Sequence, residues 1–347
     1  MAVDEKLRKQ VVEQAQGAAS LQVAYMGVAS GLFDALCEGA LAVDALAKRA
    51  GVDHGYCAAW CNAAYAFGYL EDAESAFELT ALGAAFTRAE PGSLYPMAVG
   101  TVLGAHMLER AAFYSASGER PGERVLTERE TILPLFGPML ERNFGPLFDQ
   151  EISARVPVFA ELDRTKGLAV DLGCGNGWYL RRLARRFPGL RGIGLDGFEE
   201  NIGQARRQAA SEGLSERLDF RAGDLRQFTV SEPVDMIAMN RALHHVWESG
   251  HEEVFRQLRD HLRPGGVAVI WEPAWPAQRA QLRAPGWRNL ATQNLFEYVQ
   301  GNHLLQPREI EAAFAEAGMA AETYLFRDGT EAVIVGRKGG SPGRERS

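Results

Sequence analysis

Four cysteines in 347 residues cannot staple a fold, so the chain is not a disulfide scaffold. Cys57 and Cys61 lie one helical turn apart among Ala, Trp and Tyr and read as buried thiols rather than a metal pair; Cys37 and Cys174 stand alone. No apolar run approaches the roughly 20 residues of a membrane span. Met1 to Gln16 is charged and has no signal-peptide core, so a cytoplasmic protein without membrane contact is expected. Cations are also scarce: 37 Lys and Arg against 45 Asp and Glu leave a net charge of −8. That balance disfavours nonspecific attraction to nucleic acid or anionic lipid. The length predicts two domains with ample core.

The chain is organised around Ala169 to Leu180. Gly167 to Leu172 is an apolar run that reads as a buried parallel strand, and glycines follow at alternate positions: Gly173, Gly175 and Gly177. A helix then begins, with Leu180, Leu183 and Phe187 on one side and Arg181, Arg182, Arg185 and Arg186 on the other, expected to face solvent. A strand, a glycine turn and a helix N-terminus make a natural site for the negative end of a ligand. Two ligand classes are excluded. A dinucleotide fingerprint needs its third glycine one place later, where Trp178 stands, and no Gly-Lys-Ser or Gly-Lys-Thr follows to make a phosphate loop.

Further strands are expected in order. Arg191 to Leu195 ends at Asp196, an acid placed to accept from ribose hydroxyls. Leu218 to Arg221 runs into Gly223-Asp224. Val234 to Met239 leads into Asn240-Arg241-Ala242-Leu243-His244-His245, and Gly266 to Trp271 follows the turn Arg263-Pro264-Gly265. Pro307 and Gly318 frame a helix, and Ala321 to Phe326 and Glu331 to Gly336 close the sheet. This set resembles the class I S-adenosylmethionine-dependent methyltransferases over roughly Leu168 to Lys338. The resemblance implies an α/β fold with a doubly wound, mostly parallel seven-stranded sheet. It implies S-adenosyl-L-methionine as cofactor, held by Asp171, Gly173, Gly175, Gly177, Asp196, Gly223, Asp224 and Asn240.

The N-terminal third reads as one or two helices (5–37), a short helix (42–49), a helix (52–67) and a hairpin from Gly68 to Thr80, a winged-helix order. Asp53 to Gly68 carries no Lys or Arg, so it lacks the cations a DNA-reading helix needs. Gly31-Leu32-Phe33-Asp34-Ala35-Leu36 and Leu79-Thr80-Ala81-Leu82-Gly83 resemble instead the N-terminal domain of small-molecule O-methyltransferases of specialised metabolism. That likeness implies a homodimer and no nucleic-acid partner. The domains expected are 1–90 (winged helix), 91–150 (helical connector), 151–338 (catalytic) and 339–347 (disordered tail). Within the connector, 117–129 reads as an exposed loop, and 133–159 reads as helix broken at Pro134, Pro138, Pro146 and Pro157.

Methyl transfer from a sulfonium needs the acceptor positioned and, for a hydroxyl or acidic C–H, deprotonated. Histidine suits that task, and His244 and His245 follow the fourth strand at the ligand-binding edge of the sheet. The resemblance selects His244 as base: its Leu-His-Asp-Trp pattern is rendered Leu243-His244-His245-Val246-Trp247. Glu272, in Ile270-Trp271-Glu272-Pro273, falls where the family places a glutamate that orients the base. The family's aspartate is replaced by His245. Its second orienting glutamate falls near Leu304, where none stands, with His303 beside the place. Acceptor contacts are expected from Met107, Phe144, His245, Phe296 and His303, with Trp271, Trp275 and Tyr298 as further aromatic candidates. No metal is assigned. The alternative joins His244, His245, His303 and Glu272 around iron or zinc holding an α-keto acid for C-methylation.

Overall fold

The first helix begins where the sequence offers a cap: the Asp4 carboxylate accepts the Lys6 N–H at 3.0 Å. The computed structural model describes residues 3–122, 124–128, 131–165 and 167–339, so the expected tail beyond Gly339 lies outside the described residues. The chain divides into two compact units, Met1–His106 with Arg129–Arg142, and Met107–Glu128 with Asn143–Ser347.

In the first unit, helices α1 (Glu5–Ala29), α2 (Leu32–Ala35), α3 (Val43–Ala50) and α4 (His54–Ala66) precede an antiparallel ribbon of β1 (Leu70–Ala73) and β2 (Ala76–Leu79). Asp53 caps α4 through the Tyr56 N–H, and Thr80 caps the short α5 (Ala81–Ala84). The core is aromatic: Phe33 packs on Trp60, Tyr69 and Phe86, with ring centres 5.2 to 5.8 Å apart. A Cβ at Gly27 would stand 2.6 Å from Phe33 and Trp60, so α1 reaches these rings only because that position has no side chain. Cys57 and Cys61 are buried thiols, as expected.

Helix α6 (Tyr95–Tyr114) follows. The loop read over 117–129 contains a helical turn, α7 (Arg124–Thr127). The prolines after it act differently from the sequence reading, for α8 (Leu133–Leu147) runs through Pro134, Pro138 and Pro146. Pro134 sits in the first turn, where its missing N–H has no helical partner, and Pro138 forgoes only the bond to the Pro134 carbonyl. After Pro146 the helix widens into a π turn, Phe148–Ile152, before α9 (Ser153–Arg155). A break does fall at Pro157, ahead of α10 (Val158–Thr165).

The second unit holds a seven-stranded sheet of β3 (Leu168–Leu172), β4 (Arg191–Asp196), β5 (Leu218–Ala222), β6 (Val234–Asn240), β7 (Leu262–Pro273), β8 (Met319–Phe326) and β9 (Glu331–Lys338). Its order is β5-β4-β3-β6-β7-β9-β8, with β9 antiparallel to both neighbours and the other pairings parallel. All five residues of β3 are buried, as the central strand of a sheet covered on both faces requires. Around it lie α11 (Trp178–Arg186), α12 (Glu199–Ser211), α13 (Leu243–His261), α14 (Pro285–Val299) and α15 (Pro307–Glu316). One expectation fails on α11: Arg181 is buried and ion-paired to Glu212, while Arg185 and Arg186 face solvent. A buried guanidinium needs a carboxylate partner, and α12 ends where it can supply one.

Candidate active site

The strand order reverses between β3 and β6, and open α/β sheets bind ligands beyond the carboxyl ends of the strands at such a switch point. Asp171 stands at the end of β3 and Asn240 at the end of β6. The loop between β3 and α11 is tied to β4: Gly173 and Cys174 donate to the Leu195 carbonyl, and Gly175 N–H donates to Asp196 Oδ2 at 2.9 Å. The other Asp196 oxygen accepts from the Phe198 N–H and the Asn201 amide. A Cβ on Gly173 would meet Ala242 at 2.4 Å, whereas one on Gly175 would meet nothing within 4 Å. Gly175 therefore faces open space. Asp171 Oδ1 and both polar atoms of the Asn240 amide are buried without a hydrogen-bond partner among the described residues. Buried groups of this kind call for a ligand or water. Burial, and next the Asp196 charge, push the Asp171 carboxyl up to about 8. Gly223 N–H donates to the Asp196 carbonyl, and Asp224 is exposed and paired with Arg226.

A second constellation lies at the start of α13. Glu272, at the end of β7, accepts the Leu243 N–H at 2.7 Å with one oxygen and faces His244 Nδ1 at 2.6 Å with the other. His244 Nε2 lies 3.6 Å from Glu297 Oε1, on α14. Burial alone would push the His244 pKa down; the carboxylates of Glu272 and then Glu297 outweigh it and hold the ring up at about 10. The reverse holds for Glu297, where burial would raise the carboxyl but His244 brings it down to about 2. The His245 ring lies 4.2 Å from that of His244, and its Nδ1 is 3.0 Å from the Asn302 amide nitrogen.

Residues 169–266 match the family model described as a methyltransferase domain. The chain carries a class I S-adenosylmethionine-dependent methyltransferase domain. Trans-aconitate 2-methyltransferase of Streptomyces avermitilis is 37% identical over 123 residues, 35% of this chain and 44% of that protein. Its counterpart in Deinococcus radiodurans is 33% identical over 125 residues, 36% of this chain and 43% of that protein. The chain thus spans less than half the length of these relatives. Among solved structures, an O-methyltransferase family protein from Burkholderia thailandensis superposes with TM-score 0.72 at 20% identity, covering 98% of this chain and all of the other. Human N-acetylserotonin methyltransferase, solved with S-adenosylmethionine, gives 0.72 at 19%, covering 98% and 99%. Identities this low establish the fold.

The methyltransferase domain fits its cofactor by the unpaired Asp171 and Asn240 atoms, the room at Gly175 and the acid at the end of β4. Of the residues read as acceptor contacts, Met107 and Phe144 are buried and Phe296 is half-buried. Phe144 packs edge-on against Trp271, under the guanidinium of Arg241. Tyr298 is exposed beneath Arg120, and Trp275 is half-buried, its backbone N–H donating to the Leu305 carbonyl. His303 pairs with Glu248 at 3.0 Å and is not in the donor cluster of His244, His245 and Glu297. The second acid at His244, read as missing, is present as Glu297. The motif spacing aimed at Leu304, but Glu297 reaches His244 from the last turn of α14. The signal available was a lone acid in an otherwise uncharged stretch, Asn289 to His303.

Among the described residues, no helix is long and apolar enough to cross a membrane.

Proposed function

We propose that this protein transfers the methyl group of S-adenosylmethionine to a hydroxyl of a small specialised metabolite, with His244 as general base and Glu272 orienting it. The observation that carries this reading is the buried His244 ring, its Nδ1 on Glu272 at 2.6 Å and its Nε2 at 3.6 Å from Glu297. The second separation exceeds a hydrogen bond, so Nε2 is the nitrogen left to take a proton. The cofactor supplies an activated methyl group; the protein holds the acceptor in line, removes its proton and excludes water. A base raised this far matches a phenolic or enolic hydroxyl, whose own pKa lies near 10, so proton transfer is close to balanced. Methyl-labelled cofactor offered with a panel of phenols, enols and keto acids tests the reading. Transfer to oxygen is expected, and label appearing only on carbon would overturn it.

A second reading, C-methylation beside the keto group of an α-keto acid, is favoured by one observation. Donor atoms of His244, His245 and Glu297 all lie within 4.8 Å of one another, a two-histidine, one-carboxylate set suited to iron or zinc. On this reading His303 takes no part. Metal analysis of the isolated protein separates the two: bound metal and loss of turnover with chelator support C-methylation, and full turnover in chelator removes it.

We further propose that the N-terminal region is a winged-helix dimerisation domain. On α1, Leu7, Val11 and Val12 are about half or more exposed, which leaves an apolar stripe uncovered. Light scattering at micromolar concentration is expected to show twice the chain mass of 38.0 kDa; a monomer would sink the dimer.

A further inference from the structure

Glu297 does not stand against His244 by itself. Its Oε1 accepts from the Gln293 amide nitrogen at 3.4 Å and its Oε2 from the Gln300 amide nitrogen at 3.2 Å. The Gln293 oxygen in turn accepts from Arg241 Nη2 at 3.2 Å. Arg241 Nη1 donates to both oxygens of buried Glu331, at 3.1 and 2.8 Å, and Glu331 also accepts the Trp271 indole N–H at 2.8 Å. An unbroken line of polar contacts therefore runs from β9 through the end of β6 and α14 to the base.

Chemistry fixes the direction of the middle link. A guanidinium only donates and a carboxylate only accepts, so Gln293 must turn its oxygen to Arg241 and its nitrogen to Glu297. No apolar side chain can bridge that gap, and a glutamate there would set two carboxylates face to face. The backbone at Arg241 has φ +56°, a left-handed conformation that arginine seldom adopts. Its N–H is pinned to the Trp271 carbonyl at 2.7 Å. This strained residue lies between Asn240, on the cofactor side, and His244. Strain of this kind persists where the surroundings over-determine it, as they do at functional sites.

We infer that Gln293, anchored by the Arg241–Glu331 ion pair, is a positioning residue: it holds Glu297 at ion-pair range of His244 Nε2 but short of a hydrogen bond. Kept there, Glu297 stabilises the imidazolium without occupying the nitrogen that receives the proton. The inference rests on His244 being the base, but its test reads geometry and needs no acceptor.

The full-length, chelator-treated protein labelled with ¹⁵N-histidine gives separate signals for the two His244 ring nitrogens, assigned by their loss in His244→Gln. In Gln293→Met, close in size to glutamine, the Nε2 resonance should shift while Nδ1, held by Glu272, stays in place. Arg241→Lys keeps a charge for Glu331 and gives up the planar fork; it should move Nε2 the same way by less, which keeps the test open if the methionine variant does not fold. The variant that is read should still melt in one cooperative transition and bind S-adenosylmethionine as the parent does. Nε2 and Nδ1 both unmoved in a folded variant would overturn the inference, as would both moving equally. A fully active His244→Ala enzyme would bring down the base reading and leave this geometric result standing, so the two failures are distinguishable.

Discussion

Two buried carboxylate pairs are built in opposite ways. Asp171 and Asp196 lie at the ends of neighbouring strands with backbone amides and glycines about them, and no cation is set between them among the described residues. Burial and the like charge therefore drive Asp171 up to about 8. Glu272 and Glu297 stand on either side of His244, and there the ring rises to about 10 while Glu297 falls to about 2. One pair carries its own cation; the other leaves room for a cation that arrives with a ligand. S-adenosylmethionine brings two positive groups, an ammonium and a sulfonium, which suits the second arrangement. On the proposed function the Asp pair belongs to cofactor binding and the Glu pair to proton transfer, and the contrast can be broken at either end.

The largest effect is expected from removing the cation of the Glu pair. With an acceptor found in the panel, His244→Ala should lower turnover by about 10²–10⁴-fold while the cofactor dissociation constant from calorimetry barely changes. An active variant would mean that proximity alone drives transfer.

Next comes pH. The His244 pKa is raised, so the ring stays charged through neutrality and becomes a base only as the pH climbs toward about 10. In metal-free enzyme, kcat/KM should therefore rise roughly tenfold per unit above pH 7 and level off as the ring loses its proton. The kcat profile should level off earlier, because the cationic cofactor disfavours the imidazolium beside it. A flat profile from pH 6 to 9 would show that the base is neutral in the free enzyme and that the carboxylates do not govern it.

Much of the Asp pair was legible in the sequence, because its parts are local: a strand, an acid and glycines whose spacing is fixed by one turn. The sheet order was legible for a similar reason, each strand carrying its own apolar run. The Glu pair was only half legible. Glu272 ends a strand, and counting along β7 finds it. Glu297 sits on a helix whose placement against α13 depends on tertiary packing and on the loop before α15, which residue counting does not supply. The same cause hid the pairing of His303 with Glu248 and the burial of Arg181 against Glu212. The prolines of α8 misled because their effect depends on where in a turn each one falls.

Asp196 provides the third test, on the cofactor side. Its two oxygens hold the glycine loop through the Gly175 N–H and the start of α12 through the Phe198 N–H. Asp196→Ala should weaken S-adenosylmethionine binding by about 1–3 kcal/mol, through a lost ribose bond and a loosened loop. Asp196→Asn keeps an acceptor oxygen and should lose less. If Asp196→Ala binds as tightly as the parent, the ribose is held elsewhere.

Asp171 gives the smallest and most specific effect. In the free protein its carboxyl, raised to about 8, is largely protonated at neutral pH. A cation placed beside it stabilises the carboxylate, so its pKa falls on binding and a proton is released. Below about pH 8 the affinity for S-adenosylmethionine should then rise with pH, by at most about tenfold per unit, and flatten above it. Calorimetry in two buffers of different ionisation enthalpy measures the released proton directly. Asp171→Asn cannot release it: its affinity should change little at pH 6.5, fall short of the parent at pH 9, and show no buffer dependence. Since Asn240 also carries buried polar atoms without a partner among the described residues, some affinity should remain in that variant. Proton release that persists in Asp171→Asn would point to another group and remove Asp171 from the comparison, whereas its loss would fix this acid as the one that awaits the ligand's charge.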